Sequence, residues 1–312
     1  KMVKNLKIYK NFNLTEKDKG SIILIGNFDG LHRGHQKLFN NAKSFKKKFK
    51  LRIGVITFDP IPKMFFKKLY NYRLSNFDQK IQLLKKNYVD FVINKKFNIK
   101  FSKISSFNFI KKILFHKIKP KYIFVSDNFR FGYKRAGDIK LLKALEKDHQ
   151  YKIINPSPLK SKKFVISSTL IRKNLEKGNL KKVKRFLGRN WCIEGFVEKG
   201  RKLGKKMGFP TCNIDIKDYK IPKIGVYAVK VSLNKKSKLK GIANIGYRPT
   251  FNQKKLVLEV NIFNFSGNLY NKNLSIEFIE FIRGEKKFNG LLNLKKQIKI
   301  DCKKAKAILS NE

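Results

Sequence analysis

The stretch from residue 21 to 39, SIILIGNFDGLHRGHQKLF, limits what this chain can fold into more than any other. An apolar run over 21–25 ends at Gly26, the pattern of a buried strand meeting a turn. Gly30 follows after Asn27, Phe28 and Asp29. His32, Gly34 and His35 then open a segment whose Leu31, Leu38 and Phe39 fall at helical spacing. Two of the four histidines stand here three positions apart, which puts both imidazoles on one face of the first helical turn. A strand, a glycine-bearing turn and a helix start leave N–H groups pointing outward, a setting for an anion. Imidazole donors at the same place suit a triphosphate, and Gly34 leaves room for a phosphate to approach the backbone. A bare HxGH is equally compatible with a surface helix start; its context narrows it.

That context is a βαβ unit. LRIGVITFDP, residues 51–60, reads as a second buried strand closed by Asp59-Pro60, so the sheet is parallel and its site lies at the strands' carboxyl ends. Asp59 is then either a site lining near His32 and His35 or a turn residue before proline. Helical spacing predicts helices over 75–88, 105–116 and 138–148, and strands over 89–94, 121–132 and 151–155. The 121–132 segment ends in Ser126, Asp127, Asn128, Phe129 and Arg130, a mixture that can hold a ligand ring and its polar edge. On the plainer reading Phe129 and Phe131 are core plugs. Ser167, Ser168 and Thr169 precede a second helical pattern that carries Arg172. Hydroxyls and N–H groups there can take phosphate oxygens, and Arg172 can neutralise charge on leaving pyrophosphate; ordinary helix capping uses the same residues.

After LGRN (187–190) the texture changes to short, glycine-punctuated β-like segments, as in a compact antiparallel barrel or sandwich, and 291–309 reads as a closing helix. The expected boundary falls near 184–188, giving domains of 1–185 and 186–312. The second domain opens with Gly195, Gly200, Gly204, Lys205 and Gly208, then FPTCN. Spaced glycines can wrap a phosphate, although GxxxxGK[ST] is absent. Thr211 and Asn213 offer two oxygens on one side of an extended chain, suitable for a magnesium nucleotide; glycine turns in a barrel are the plainer alternative.

Composition adds exclusions. The net charge of +53 would suit a polyanion. The lysines, however, are spread along the whole chain among many Asn, Ile and Phe residues, all with A/T-rich codons, so no specific nucleic-acid partner is expected. No apolar run spans a membrane, the first twenty residues carry no secretory pattern, and three scattered cysteines form no disulfide framework, which together predict a cytoplasmic protein.

GNFDGLHRGH resembles the signature of the HxGH nucleotidylyltransferases. With TFDP, SDNFRFG, ISSTLIR, GFPTCN, GVYAV, ANIGYRPTF, LEVNIFNF and IEFIEFIRGEKKF in this order, nearly the whole chain is similar to the bifunctional bacterial riboflavin kinase/FAD synthetase family. GFPTxN and NIGxRPTF are the most specific segments. The resemblance implies a Rossmann-like α/β FMN adenylyltransferase domain followed by a small riboflavin kinase barrel with a C-terminal helix. It implies that His32 and His35 hold the ATP phosphates, with Gly26, Asn27, Phe28, Asp29 and Gly34 around them and Ser167, Ser168, Thr169 and Arg172 closing on them. Asp59, Asp127, Asn128, Phe129 and Arg130 would line the flavin. In the kinase half, Gly200, Gly204 and Lys205 would meet ATP, Thr211 and Asn213 would hold Mg²⁺, and Glu259 would be the base for the ribityl hydroxyl. Ser126, Asn128, Ile61, Lys205 and Asn261 stand where the family usually has glycine, aspartate, a polar residue, arginine and histidine. The implied substrates are riboflavin, FMN and ATP, with FAD as the final product. A chain active only as a kinase is the alternative, and a basic nucleic-acid-binding protein on an enzyme scaffold the remote one.

Overall fold

The computed structural model describes residues 6–198, 208–216, 218–233, 238–249 and 254–312. The chain divides into two compact units, one of residues 1–70 and 77–167, the other of 71–76 and 168–312. Gly200, Gly204 and Lys205 lie outside the described residues.

The first unit is a six-stranded parallel sheet in the order β1-β4-β3-β2-β5-β6. Its strands are β1 (Lys7–Tyr9), β2 (Ile22–Ile25), β3 (Ile53–Asp59), β4 (Phe91–Lys96), β5 (Tyr122–Phe124) and β6 (Lys152–Ile154). All four residues of β2 are buried, as continuous apolar runs in parallel sheets should be. Around the sheet run α1 (Arg33–Phe49), α2 (Pro62–Lys67), α3 (Phe77–Lys86), the short α4 (Ile99–Ser102) and α5 (Ser106–Asn108), and α6 (Ile139–Ala144). Two apolar clusters fill its faces, one around Ile23, Ile110, Leu114 and Ile123, the other around Leu24, Phe39, Val55 and Phe124. A small hairpin, β7 (Lys160–Ser161) with β8 (Phe164–Val165), ends the unit.

Several expected elements differ in extent. The single helix predicted over 105–116 is a short α-helical turn followed by a π-helix, Phe109–Ile118. Its buried residues Phe109, Ile110, Ile113, Leu114 and Ile118 form one apolar stripe against the core. The strand predicted over 121–132 stops at Phe124, and Phe129 N–H turns back to Ser126 O at 3.0 Å. The helix predicted over 138–148 ends at Ala144. β1 and α2, three and six residues long, are too short to show a period.

The second unit is a closed barrel in the order β10-β13-β12-β11-β14-β9, antiparallel throughout. Its strands are β9 (Trp191–Glu198), β10 (Cys212–Ile214), β11 (Gly225–Leu233), β12 (Leu239–Pro249), β13 (Lys254–Ile262) and β14 (Asn273–Arg283). α7 (Ser168–Glu176), α8 (Leu180–Leu187) and the closing helix α9 (Leu291–Ser310) belong to this unit. By contacts, then, the division falls at Ser167/Ser168, upstream of the boundary expected near 184–188. Residues 71–76 join the barrel because Arg73 N–H donates to Asp218 O at 2.9 Å and Trp191 Nε1 donates to Leu74 O at 2.9 Å.

α9 is held by Ala305 and Leu309 against Val226, Ala228 and Ile279, and by a buried ion pair. Arg283 Nε and Nη2 donate to Asp301 Oδ2 at 2.9 and 2.7 Å, and Gln297 donates to Oδ1 at 2.9 Å. Breaking the pair strands a guanidinium that is only 17% exposed. Asp301→Ala should therefore cost about 3–5 kcal/mol, seen as an early melting phase in calorimetry of the full chain. An unchanged melting profile would contradict this role.

Candidate functional sites

In the parallel sheet the strand order reverses between β2 and β5, and ligands bind such sheets at that switch, outside the carboxyl ends. Gly26 and Asn27 leave β2 there, Val125 to Asn128 leave β5, and Asp59 ends the neighbouring β3. The turn is tightly wound, with positive φ at Phe28, Gly30 and Leu31. Two of these are not glycine, a strain typical of functional turns. The Phe28 ring lies over Gly26 and packs on Phe39 and the edge of His35, so only its backbone is left for a nucleotide. Asp29 is buried as well.

His32 is the N-cap of α1, and its Nδ1 accepts from His35 N–H at 3.3 Å. That bond puts the proton of a neutral His32 on Nε2. The two rings are stacked 3.6 Å apart. Burial first, then His32 and Lys80, hold the His35 imidazole well below the usual histidine range, so it is neutral at pH 7. Its Nδ1 is sealed from solvent with no hydrogen-bond partner. A Cβ at Gly34 would stand 3.1 Å from both the His32 ring and Ile166 O, so the absent side chain lets histidine ring and backbone close up as well as any ligand.

Beyond β5, Ser126 Oγ bonds Asn128 Oδ1 at 3.1 Å, and Arg130 pairs with Asp138 at 3.0 Å. Asp127 and Asn128 are exposed. Phe131 is a core plug, as the plainer reading had it, and Phe129 stacks on it while staying half-buried. Ser167 ends the first unit, whereas Ser168, Thr169 and Arg172 belong to the second. There Ser168 opens α7, Thr169 is exposed, and Arg172 is buried, with Nε donating to Tyr72 O at 2.8 Å and its guanidinium 3.7 Å above the Tyr72 ring. Sequence reasoning missed Lys80, a buried lysine on α3 that bonds Thr57 Oγ1. Its segment reads as an ordinary amphipathic helix.

In the barrel, register assembles the second site. Asn213 on β10 lies opposite Glu198 on β9 and Glu259 on β13, and Glu259 lies opposite Asn244 on β12. Directly opposed residues share a face, so these four form a polar row with about 4.8 Å between strands. Their neighbours Ile214, Leu258, Val260, Ala243 and Ile245 are buried in the core. Asn213 Oδ1 is sealed from solvent and lacks a hydrogen-bond partner, while Thr211 is exposed two residues earlier. Asn261 donates to Pro210 O at 2.6 Å and so ties the FPTCN segment to β13, the strand of Glu259. The donors are a hydroxyl, an amide oxygen and a carboxylate, hard oxygens that fit Mg²⁺.

A stacked histidine pair at a parallel-sheet switch point and an oxygen-rich row on a small barrel are two settings suited to nucleotide phosphates. The chain matches the FAD synthetase family over residues 14–170 and the riboflavin kinase family over 187–309. It is 40% identical over 293 residues to the bifunctional riboflavin kinase/FMN adenylyltransferase of Buchnera aphidicola subsp. Schizaphis graminum, covering 93% of this chain and 94% of that protein. The Haemophilus influenzae protein of the same description is 36% identical over 94% of this chain and 96% of its own length. The Escherichia coli K12 protein is 34% identical over 91% of each. Among solved structures, one described as a macrolide-efflux protein from Streptococcus pneumoniae superposes with a TM-score of 0.84 at 27% identity, over 96% of this chain and 98% of that one. The chain belongs to the bifunctional riboflavin kinase/FMN adenylyltransferase family.

Proposed function

We propose that this enzyme makes FMN from riboflavin in its 186–312 domain and FAD from FMN in its 1–185 domain, by the residues described above. The two activities follow from the family matches, which cover both halves of one chain, and from relatives of the same bifunctional description. Among the described residues no helix is long and apolar enough to cross a membrane.

In the kinase half, the riboflavin 5′-hydroxyl attacks the γ-phosphorus of ATP, its proton passes to Glu259, and ADP leaves. Support for Glu259 comes from its place between Asn213 and Asn244 on one face of the barrel. Thr211 and Asn213 would hold Mg²⁺, whose chemistry is to neutralise charge on the transferring phosphoryl group. The orphaned Asn213 Oδ1 supports that assignment.

In the adenylyl half, a phosphate oxygen of FMN attacks the α-phosphorus of ATP and pyrophosphate leaves. The attacking group is already anionic, so no protein base is required. Donors aimed at the developing charge are required, and neutral His32 and His35 at the α1 N-terminus can serve as such donors. By the family resemblance Ser167, Ser168, Thr169 and Arg172 are further candidates for ATP, and Asp59, Asp127, Asn128, Phe129 and Arg130 are candidates for the flavin.

Incubating purified protein with riboflavin, excess ATP and Mg²⁺ should give FMN and then FAD, separable by chromatography. FMN that accumulates without FAD would overturn the assignment of the histidine turn.

A further inference from the structure

Lys80 stands apart from the chain's other lysines. Lysine and arginine together make up 74 of 312 residues, yet among the described residues Lys80 is the one lysine that is buried, at 2% exposure. Buried ammonium groups are rare and persist where the surroundings give them a task. It lies on the same face of α3 as Leu84, one turn away, and Leu84 packs into the core under the sheet. From there Lys80 Nζ reaches Thr57 Oγ1 at 3.3 Å, and Thr57 Oγ1 donates to Asn27 O at 3.2 Å. Asn27 is the second residue of the histidine turn, and Lys80 is near enough to His35 to act on its charge.

We propose that Lys80 is a positioning residue for adenylyl transfer: through Thr57 it fixes the Asn27 end of the turn, and its ammonium places a positive charge beneath the polyphosphate. The inference rests on the adenylyltransferase reading above. Its logic is a division of labour. With His32 Nδ1 used as an acceptor and the His35 imidazole held well below the usual histidine range by burial, the pair offers hydrogen bonds but little charge. A lysine below the turn restores the charge that two neutral rings lack, without competing for their place. Titratable groups on the surrounding elements include His32 and Asp29 of the turn, both buried, the half-buried Asp59 on β3, and the exposed Asp78 on α3 itself.

The test is FAD formation from supplied FMN and ATP, measured against pH for wild type, Lys80→Met and Lys80→Arg. Lys80→Met should raise the KM for ATP about tenfold or more with a smaller change in kcat. It should also move the acid limb of kcat/KM to higher pH, because His35 gains a proton more readily once a neighbouring cation is gone. Lys80→Arg keeps the charge and should restore both toward wild type. FMN formation from riboflavin should be unchanged in all three, which reports an intact second unit. Wild-type KM and acid limb in Lys80→Met would overturn the proposal. So would equal impairment of Met and Arg variants with no pH shift, since that marks packing alone. If wild type makes no FAD, the adenylyl reading fails instead. Calorimetric binding of pyrophosphate then still decides on Lys80: weaker binding to Lys80→Met supports it, and equal binding overturns it.

Discussion

Glu259→Gln should lower FMN formation from riboflavin by about 10²–10⁴-fold, the range lost when a positioned general base is removed. FAD formation from supplied FMN should continue at the wild-type rate. Glutamine keeps the size of the side chain and its place between Asn213 and Asn244, so the barrel should fold unchanged. What it loses is the capacity to accept the hydroxyl proton as phosphorus–oxygen bond formation proceeds. Phosphoryl transfer otherwise depends on alignment and charge, which other groups supply, and a residual rate is therefore expected. Parallel assays of the two half-reactions on one preparation check this. Loss of both activities together would point to one shared site, and an unaffected kinase rate would remove Glu259 from the chemistry.

How much of this could be read from the chain differs between the two sites. The histidine turn was legible because strand, glycines and helix start are local, and local patterns survive in sequence. Its setting at the strands' carboxyl ends followed from the βαβ reading; the strand order that puts it at the β2/β5 switch came from the structure, and β5 itself proved shorter than its apolar run suggested. Glu259 was different. Alternation with Leu258 and Val260 shows only that it faces away from the core, as Glu277 and Glu280 do on β14. Family resemblance singled it out, and strand register then placed Asn213 and Asn244 on either side of it. Lys80 gave no signal at all, since burial of a polar helix residue is decided by what packs above it. Residues 71–76 are a similar case: their bonds to Asp218, Lys220 and Trp191 join positions more than a hundred apart in sequence.

Net charge is the complementary lesson. At +53 it is the most conspicuous property of the sequence, yet neither site is built from the bulk of it. Ion pairs such as Lys181 with Glu280 and Lys238 with Glu277 include an exposed partner, and pairs of this kind contribute little. Two basic residues that do have distinct settings, Lys80 and Arg172, are buried. Burial sorts a few candidate cations from a background that composition cannot resolve.

His35→Ala should reduce FAD formation about 10²-fold or more while FMN formation stays intact, which makes it the mirror image of Glu259→Gln. The imidazole stacks on His32 at 3.6 Å and meets the Phe28 ring edge-on at 5.2 Å, so alanine removes a donor and also the wall that orients its partner. His32 would still cap α1, because the bond to its Nδ1 comes from the backbone N–H of residue 35, which alanine retains. Helix and turn should therefore persist, and the loss should appear mainly in kcat if the donor acts on charge developing in the transition state. His35→Gln, which can still present an N–H, should recover part of the rate. An unchanged FAD rate in His35→Ala would remove His35 from the chemistry. A loss confined to KM would reassign it from stabilising the transition state to binding ATP.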